Sequence, residues 1–456
     1  MPENLASFKV FCQGGLNTSR DVLSQGENQP GSATALINYE PAVTGGYRKI
    51  NGFANNYGTV TGTGSVLGVV VADGINDGIF ACRKPSSGNN YLHKWNNSTS
   101  SWDAITTSGS PTMVGVTKVR FSRLNFGTPK IVLTDGINPA ATYDGTTYTQ
   151  ITHSDAPTDP KFSAIFQNHL FLAGDPAHPT KLYHSAPLAE TDFAAGNGAG
   201  VINVGFPIVA IKSFRNELFI FGATNIKKLS GTSLANFAVQ TVTDDLGCLA
   251  TDSVIEIGGD LLFLSQDGLR PISGTAKIGD VNLETVSKNI QSIFTDIVFD
   301  IDLDTLNAVV IRQKTQFRYF FGAADSQGII GGFRQTPNGL QFEYSQMLGI
   351  TATCAASGYI GQNEFVLHGT SDGKVHRQET GNSFAGENIF SIFQTPFFHM
   401  QDPEQRKIFY NIATYLRSEG DNSIVMSAVY DYEDVDTLNP TNFDLSTTGA
   451  AAFYNE

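Results

Sequence analysis

An octapeptide that occurs twice decides the fold of this chain. Residues 69–76 read VVVADGIN, and residues 131–138 read IVLTDGIN. Each copy is an apolar run of strand length that leads into an Asp-Gly turn. Five further apolar runs end at a glycine, and they lie at residues 170–174, 218–222, 261–268, 317–322 and 365–369. The repeat indicates that one β unit recurs along the chain.

The spacing of these runs predicts a β-propeller. The seven starts lie 39 to 62 residues apart, and four short antiparallel strands with their turns occupy about 40 to 50 residues. The first two runs are each followed by a hairpin pattern, the clearer of which has Tyr143 and Tyr148 flanking Asp144 and Gly145. We therefore predict an all-β fold, a β-propeller of six or seven blades. The alternative is a sandwich of unrelated hairpins, and the recurring spacing favours the propeller.

The pattern divides the chain into three parts. We expect residues 1–60 to form an N-terminal arm and the first strands, residues 61–390 the propeller, and residues 391–456 a C-terminal β-hairpin region. In that last region, alternating apolar residues predict a long hairpin of residues 408–416 with 424–430. Helical spacing predicts one short helix on the propeller, with Asn282 available as its N-cap. The apolar positions of this helix are Leu283, Val286, Ile290, Ile293, Phe294 and Ile297.

Composition excludes several classes of protein. Lys and Arg number 29 against 43 Asp and Glu, a formal net charge of −14, which argues against a general nucleic-acid binder because such binding needs cationic side chains. No apolar run approaches the 18 or so residues of a membrane span, and the N-terminus lacks the pattern of a secretory signal. The four cysteines are far apart and are expected to be free thiols in a reducing cytosol.

No motif in the sequence points to catalysis, a metal or a cofactor. The loop that begins at Asp73 resembles a calcium loop, but Ile75 stands at a ligand position and Lys84 at the twelfth position. The Asp-Gly pairs at 267–268 and 372–373 resemble turns of sialidase-type propellers without the full pattern. The eight histidines are scattered, and no pair of carboxylates is singled out. We predict no catalytic residues, no metal site and no cofactor.

The most distinctive residues lie near the N-terminus. Residues 11–17 read FCQGGLN, residues 30–41 read PGSATALINYEP, and residues 45–53 read GGYRKINGF. The block predicts an extended arm, a short alternating strand, a tight Gly-Gly turn and a strand that carries basic and aromatic residues. We expect Gly45, Gly46 and Gly52 to act through backbone geometry. The alternative is an ordinary edge strand of the first blade.

This block resembles the tail hub or nozzle proteins of short-tailed bacteriophages, which include tail tubular protein B and the packaged-DNA stabilisation proteins. The resemblance implies a β-propeller subunit, six copies of which form a ring below the portal and its adaptor around the DNA exit channel. The chain is short after residue 430, which puts an extended distal nozzle domain in doubt. The residues that we predict at subunit or adaptor contacts are Phe8, Phe11, Gly14, Gly15, Gly45, Gly46, Tyr47, Arg48 and Lys49.

The sequence therefore predicts a structural virion protein without catalysis. Its expected partners are other copies of itself in a hexameric ring, the portal-adaptor protein, tail fibre or spike proteins, and DNA that passes without sequence-specific binding. It is expected in the virion tail after assembly in the host cytoplasm, with no insertion into a membrane. An acidic lumen would let DNA slide. Two alternatives remain open: a carbohydrate-binding or carbohydrate-cleaving propeller, and a cellular propeller scaffold.

Overall fold

The computed structural model describes most of the chain. The described residues are 7–42, 45–75, 78–88, 90–105, 115–275, 285–300, 302–322, 327–336, 339–400, 407–417, 423–431 and 436–446. They divide into two compact units. One unit contains Val10–Asp21 and Gly31–Thr395, and the other contains the described residues of Met1–Lys9, Val22–Pro30 and Pro396–Glu456.

The first unit opens with short strands from the N-terminal block and continues into four regular blades. The N-terminal strands are β1 (Ala35–Ile37), β2 (Tyr39–Pro41), β3 (Tyr47–Lys49) and β4 (Phe53–Ala54).

Each of blades one to four is a four-stranded antiparallel sheet. Blade one contains β5 (Thr63–Ala72), β6 (Gly78–Lys84), β7 (Leu92–Asn96) and β8 (Ser101–Ala104). Blade two contains β9 (Arg120–Asn125), β10 (Pro129–Thr134), β11 (Ala141–Tyr143) and β12 (Tyr148–Gln150). Blade three contains β13 (Phe162–Phe166), β14 (His169–Ala173), β15 (Lys181–His184) and β16 (Gly200–Asn203). Blade four contains β17 (Ala210–Phe214), β18 (Glu217–Phe221), β19 (Ile226–Ser230) and β20 (Ala238–Thr243).

Blades five to seven depart from the regular pattern. Blade five has three strands, β21 (Ile255–Ile257), β22 (Asp260–Ser265) and β23 (Gly268–Pro271). Blade six contains β24 (Asn307–Ile311), β25 (Gln316–Phe320), β26 (Gln327–Thr336) and β27 (Gly339–Leu348). Blade seven contains β28 (Cys354–Ile360), β29 (Asn363–Gly369) and β30 (Val375–Gln378). Three short strands follow, β31 (Ser383–Phe384), β32 (Glu387–Asn388) and β33 (Ile392–Gln394). The sheet of blade six is extended by β1 and β33, and that of blade seven by β4, β31 and β32.

The described structure is thus an all-β propeller of seven blades, as predicted. The sequence repeat, however, matched the first strand of blade one with the second strands of the other blades. Six of the seven apolar runs lie in the second strand of a blade, whereas residues 69–72 belong to β5, the first strand of blade one. The second strand of that blade is β6, and its residues Ile79 and Phe80 are buried. The same DGIN turn follows the first strand in blade one and the second strand in blade two. This difference explains why the first two runs start 62 residues apart, farther than the others. The second strands themselves begin 40 to 56 residues apart.

The core is divided among the boundaries between blades. Seven clusters of buried apolar residues occur among the described residues, and each joins two blades that follow one another around the ring. Phe80 and Leu133, for example, join blades one and two. Val69 of blade one and Leu367 of blade seven belong to one cluster. The ring is therefore closed by hydrophobic packing as well as by strand pairing.

The N-terminal block supplies the strands that complete the last two blades. In blade seven, β4 pairs antiparallel with β30, with Phe53 opposite Gln378 and Ala54 opposite Arg377. In blade six, β1 runs parallel to β27 and antiparallel to β33. Closure of the ring therefore depends on residues from the beginning of the chain.

The predicted helix is shorter than expected. The helix α3 comprises Gln291–Asp300 and follows a 3₁₀ turn, Lys288–Ile290, while Asn282 and Leu283 lie outside the described residues. Ile290 and Phe294 are buried at the boundary between blades five and six. Before the helix, the amide of Val286 donates to the carbonyl of Leu269, at the outer edge of β23. This segment covers the edge where the other blades have a fourth strand.

Elsewhere, α1 (Val22–Asn28) lies in the second unit, and α2 (Ile272–Thr275) follows β23. Further 3₁₀ turns lie at Ala195–Asn197, Thr251–Ser253 and Arg312–Lys314.

The predicted C-terminal hairpin forms only in part. The rings of Phe409 and Tyr430 stack at 6.3 Å, and the hydroxyl of Thr414 lies 3.3 Å from the sulfur of Met426, as in an antiparallel hairpin. Strand geometry, however, is confined to β34 (Val425–Met426), which pairs with β35 (Phe443–Asp444). Residues 407–417 contain no strand. Their apolar side chains are exposed, and an isolated hairpin without a packed face is only marginally stable.

We predict that Phe53 is required for closure of the ring. Its ring is buried and packs on Phe384 at 5.0 Å, His368 at 4.9 Å and His376 at 4.8 Å. Phe53→Ala should lower the free energy of unfolding by about 3 to 5 kcal/mol, because it leaves a cavity in blade seven. Urea denaturation measures the loss.

The matched control is Phe390→Ala. Phe390 is 61 % exposed, so its replacement should change the free energy of unfolding by no more than about 0.5 kcal/mol. Equal losses for the two variants would show that the N-terminal strand does not hold blade seven together.

Candidate functional site

The N-terminal block is bound to blade six by a buried carboxylate. Glu343 of β27 accepts hydrogen bonds from the amide of Gly14 at 2.7 Å, the hydroxyl of Tyr47 at 3.1 Å and Nε of Arg334 at 2.7 Å. The amide of Gly15 in turn donates to Tyr47 Oη at 2.6 Å. Glu343 is 4 % exposed, so these donors replace the water that the charge loses on burial.

A second charged network lies beside the first. Glu40 Oε1 accepts from Arg48 Nε and from Lys314 Nζ, each at 2.7 Å. Arg318, fully buried in β25, donates to Gln378 Oε1 at 2.7 Å and pairs with Glu379. Arg318 also lies 3.8 Å from Glu40. The network links the N-terminal hairpin of β2 and β3 to blades six and seven.

Burial and ion pairing oppose each other at Glu379. Burial alone would raise the pKa of this carboxyl group, but Arg318 and Lys314 outweigh that effect and hold the pKa below its ordinary value. The carboxylate therefore stays ionised. Because each buried charge depends on its partner, losing one member leaves another without compensation.

The glycines of the block act in two different ways. Gly45 and Gly46 have φ values of +98° and +72°, and a Cβ atom at either would meet nothing within 4 Å, so the requirement is the left-handed backbone alone, as predicted. Gly52 has no such φ value. A Cβ there would lie 2.0 Å from the carbonyl oxygen of Ser383, so Gly52 is needed for close approach of two backbones, and the prediction of a turn at this position was wrong.

The nine residues predicted at subunit or adaptor contacts separate into two groups. Gly14, Gly15 and Tyr47 are bound within the chain to Glu343 of blade six or to one another, and Arg48 is bound to Glu40. The other group is Phe8, Phe11, Gly45, Gly46 and Lys49. Phe11 is 74 % exposed and Phe8 is 48 % exposed. For all nine residues the contact with a neighbouring subunit or an adaptor stays a prediction.

Sequence reasoning missed the residues that hold the block. Arg318 lies within the aromatic run QFRYF, and Glu343 within QFEY. A lone charge in a strand of buried aromatics was the available signal, because such a charge requires a buried partner.

Ion pairs also cross the axis of the propeller. The first strands of the blades contact one another around the axis. Arg120 of blade two binds both oxygens of Asp252 at 2.9 and 2.7 Å, and Asp252 lies just before blade five. Lys118 Nζ also binds Asp252 at 2.6 Å. Blades two and five are not neighbours, so these ion pairs span the opening. Lys161, before blade three, pairs with Asp304, before blade six, at 2.9 Å in the same way.

The crossing ion pairs decide what can pass along this axis. Burial alone would raise the pKa of Asp252, but Lys118 and Arg120 outweigh it and keep the pKa below its ordinary value. The pairs are therefore charged and close the axis at this end. These pairs therefore join blades that are not neighbours in the ring.

Buried histidines lie at the closure of blade seven. His368 and His376 are cross-strand partners in β29 and β30, with ring centroids 5.1 Å apart. Burial lowers the pKa of both, and the neighbouring charges of His376 and Arg318 lower that of His368 further. Each ring has a nitrogen without a hydrogen-bond partner, His368 Nε2 and His376 Nδ1. The folded protein therefore favours the neutral form of both rings.

The carboxyl groups whose pKa values are clearly shifted share one direction. Every described carboxyl group whose pKa departs clearly from its ordinary value is shifted downward. These groups are Asp144, Asp192, Asp252, Asp267, Asp304, Asp372, Glu379 and Asp444.

The remaining motifs are turns. Gly74, Gly268 and Gly373 have φ values of +77°, +114° and +86°, as expected for tight turns that follow an Asp. Asn76 and Asp77 of the calcium-like loop lie outside the described residues. In the described part of the chain, no three His, Cys, Asp or Glu side chains are grouped to hold a metal ion. None of the described helices has the length and apolar character needed to cross a bilayer.

Comparison with known proteins finds solved structures that resemble the chain at low identity. No family model and no curated protein matches the sequence. An extracellular domain named as part of the hybrid two-component system BT4673 of B. thetaiotaomicron is 12 % identical with a TM-score of 0.45, over 73 % of this chain and 40 % of that domain. An ancestral GH74 enzyme is 10 % identical with a TM-score of 0.43, over 77 % of this chain and 48 % of the enzyme. Hsv2 of Kluyveromyces lactis is 10 % identical with a TM-score of 0.36, over 62 % of this chain and 99 % of Hsv2. The chain spans less than half of the sensor domain and of the enzyme.

We predict that Arg318 fixes the N-terminal block. Arg318→Met should lower the free energy of unfolding by about 3 to 5 kcal/mol, since Glu379 and Glu40 then lose a buried counter-charge. Hydrogen exchange should increase at residues 31–42 and 45–54. The control Arg123→Met removes an exposed arginine of β9 and should leave exchange in these residues unchanged. Unchanged exchange in Arg318→Met would contradict the role of the network.

Stability should fall below about pH 6.5, the ordinary pKa of histidine. The folded state favours neutral His368 and His376, so the unfolded chain binds protons at a higher pH. The stabilisation is present above pH 6.5 and is lost as the pH falls through the lowered pKa values of the folded state. Chemical denaturation between pH 8 and pH 5 measures this. His376→Gln should flatten the profile, whereas His178→Gln, at an exposed position, should not. A profile that is flat in the unmodified protein would refute the prediction.

Proposed function

We propose that this chain is a non-catalytic structural protein that assembles with other copies of itself. The observation that carries the proposal is the distribution of exposed apolar side chains. Of the 21 large hydrophobic residues that are exposed in the described structure, eleven lie between residues 408 and 443. They are Ile408, Phe409, Tyr410, Ile412, Tyr415, Leu416, Val425, Val429, Tyr430, Leu438 and Phe443.

Such a surface favours association. Tyr415 is 96 % exposed, Leu438 is 93 % exposed and Ile408 is 74 % exposed. Scattered exposed apolar residues are normal, but a concentration of them marks an interaction surface, because covering it releases the water around it. None of these residues belongs to the core clusters between the blades.

The finer proposal is a subunit of a tail hub ring in a short-tailed bacteriophage. It rests on the resemblance of the N-terminal block, and the assembly surface is compatible with it. In such a ring DNA passes between copies, since ion pairs close the axis of each propeller. The net charge of −14 supports passage without tight binding. The portal-adaptor protein and tail fibre or spike proteins are the partners that this proposal implies.

A carbohydrate-binding or carbohydrate-cleaving propeller is the second candidate. The solved structures that share the fold include a GH74 enzyme and extracellular sensor domains, so by their names they lie nearer to this candidate than to a virion protein. Their likeness is one of fold at low identity and transfers no site.

The oligomeric state in solution tests the proposal. Light scattering after gel filtration should give a mass of several copies at concentrations well above a Kd of about 1 μM, and negative-stain images should show rings. Ile412→Asp should weaken association at least tenfold. Ile137→Asp is the matched control, because Ile137 is 44 % exposed on the propeller and Ile412 is 49 % exposed.

Two outcomes would overturn the proposal. One is a single-copy mass at every concentration, and the other is equal weakening by the two aspartate variants. Binding of the monomer to a glycan array, or release of sugar from a polysaccharide, would favour the carbohydrate candidate.

A further inference from the structure

The outer edge of blade four is open. β20 reads AVQTVT, contains no charge and no proline, and has four exposed residues, Ala238 to Thr241. Among the described residues it pairs with β19 alone. A strand edge of this kind leaves backbone donors and acceptors available to another chain.

The other blades protect their outer edges better. β8 carries the charge of Asp103, β12 has three residues and β16 has four. The edge of β23 is covered by Val286 and Ser287. Blades six and seven are extended by additional strands. β20 is therefore the longest uncharged outer edge strand of a blade in the described structure.

An apolar patch lies beside this edge. Leu234, in the loop before β20, and Val239, in β20 itself, are 44 % and 37 % exposed. A Cβ atom built at Gly200 would lie 3.2 Å from Leu234 Cδ1, so Leu234 of the blade-four loop reaches β16 of blade three. The patch adds apolar area to the backbone groups of the edge.

We propose that residues 407–417 of a second copy add to this edge as a fifth strand of blade four. That segment reads KIFYNIATYLR, with exposed Ile408, Tyr410 and Ile412 at alternate positions, and it takes part in no strand ladder in the described structure. The alternation matches what a strand needs to place side chains on one face. The inference rests on the proposed function and names the surfaces of the assembly.

Charge supports this choice of occupant. The segment has Lys407 at its start and Arg417 at its end, while exposed Asp244 and Asp245 follow β20 directly. An added strand brings one of the two cations near these carboxylates in either orientation. Complementary charges of this kind fix the partner and the register more than they add affinity.

Two matched substitutions test the edge. Thr241→Lys places a charge on β20, and Thr149→Lys places the same charge on the exposed position of β12. Edge lysines block strand addition, so Thr241→Lys should raise the Kd of self-association at least tenfold, and Thr149→Lys should leave it unchanged. Circular dichroism confirms that each variant is folded. Equal effects, or no effect of Thr241→Lys, would overturn the edge as the docking surface.

Disulfide trapping identifies the occupant. In a Cys12→Ser background, full-length Thr241→Cys protein is mixed with full-length Ile412→Cys protein and oxidised. A linked pair of chains, absent with Thr149→Cys, is the expected result. A disulfide within one chain carrying both Thr241→Cys and Ile412→Cys, with no linked pair in the mixture, would show that the segment covers the edge of its own chain and would overturn the proposal.

A synthetic peptide of residues 407–417 separates this inference from the proposed function. Peptide binding that Thr241→Lys abolishes would support the edge even if the whole protein stayed a single copy, which would refute the assembly role alone. An assembled protein whose edge fails to bind the peptide or to form the linked pair would refute the edge alone.

Discussion

The buried charge of Arg318 is the constraint on which the ring depends. A guanidinium without solvent is tolerated only because Gln378, Glu379 and Glu40 surround it. These partners come from the end and from the beginning of the propeller sequence, while Arg318 lies in blade six. One cation thus holds together the parts of the chain that must meet for the ring to close. In a similar way, the buried carboxylate of Glu343 binds Gly14 and Tyr47 of the N-terminal block.

Closure and function make different demands on the chain. The propeller hides most of its apolar residues between blades and crosses its own axis with ion pairs. Eleven of the 21 exposed large hydrophobic residues of the described structure lie instead in the C-terminal region, and Val239 lies at the edge of blade four. A scaffold of this kind suits a role in which surfaces are presented to other chains.

Much of the fold could be predicted from the sequence, because blades repeat and repeats are visible as apolar runs. The DGIN turn misled the alignment of blade one, since a short turn motif carries no information about which strand precedes it. The left-handed Gly45 and Gly46 were predictable from local chemistry. The partners of Glu40 and Glu343 were not, because 274 residues separate Glu40 from Lys314 and 329 separate Gly14 from Glu343, and no local rule links such positions. Residues 407–417 look like a strand, yet strand formation needs a neighbour that sequence cannot supply.

The pairing of Phe53 with Gln378 also has a consequence for biosynthesis. The strand β4, which closes blade seven, is made before blade one, and its partner β30 leaves the ribosome 325 residues later. At about 5 to 20 residues per second, β4 waits roughly 15 to 65 s with its apolar face uncovered. Blades one to five can pack in order during that time, whereas the last joint forms only after β30 has emerged. Nascent chains are thus exposed to strand exchange with their neighbours on a polysome until the propeller is complete.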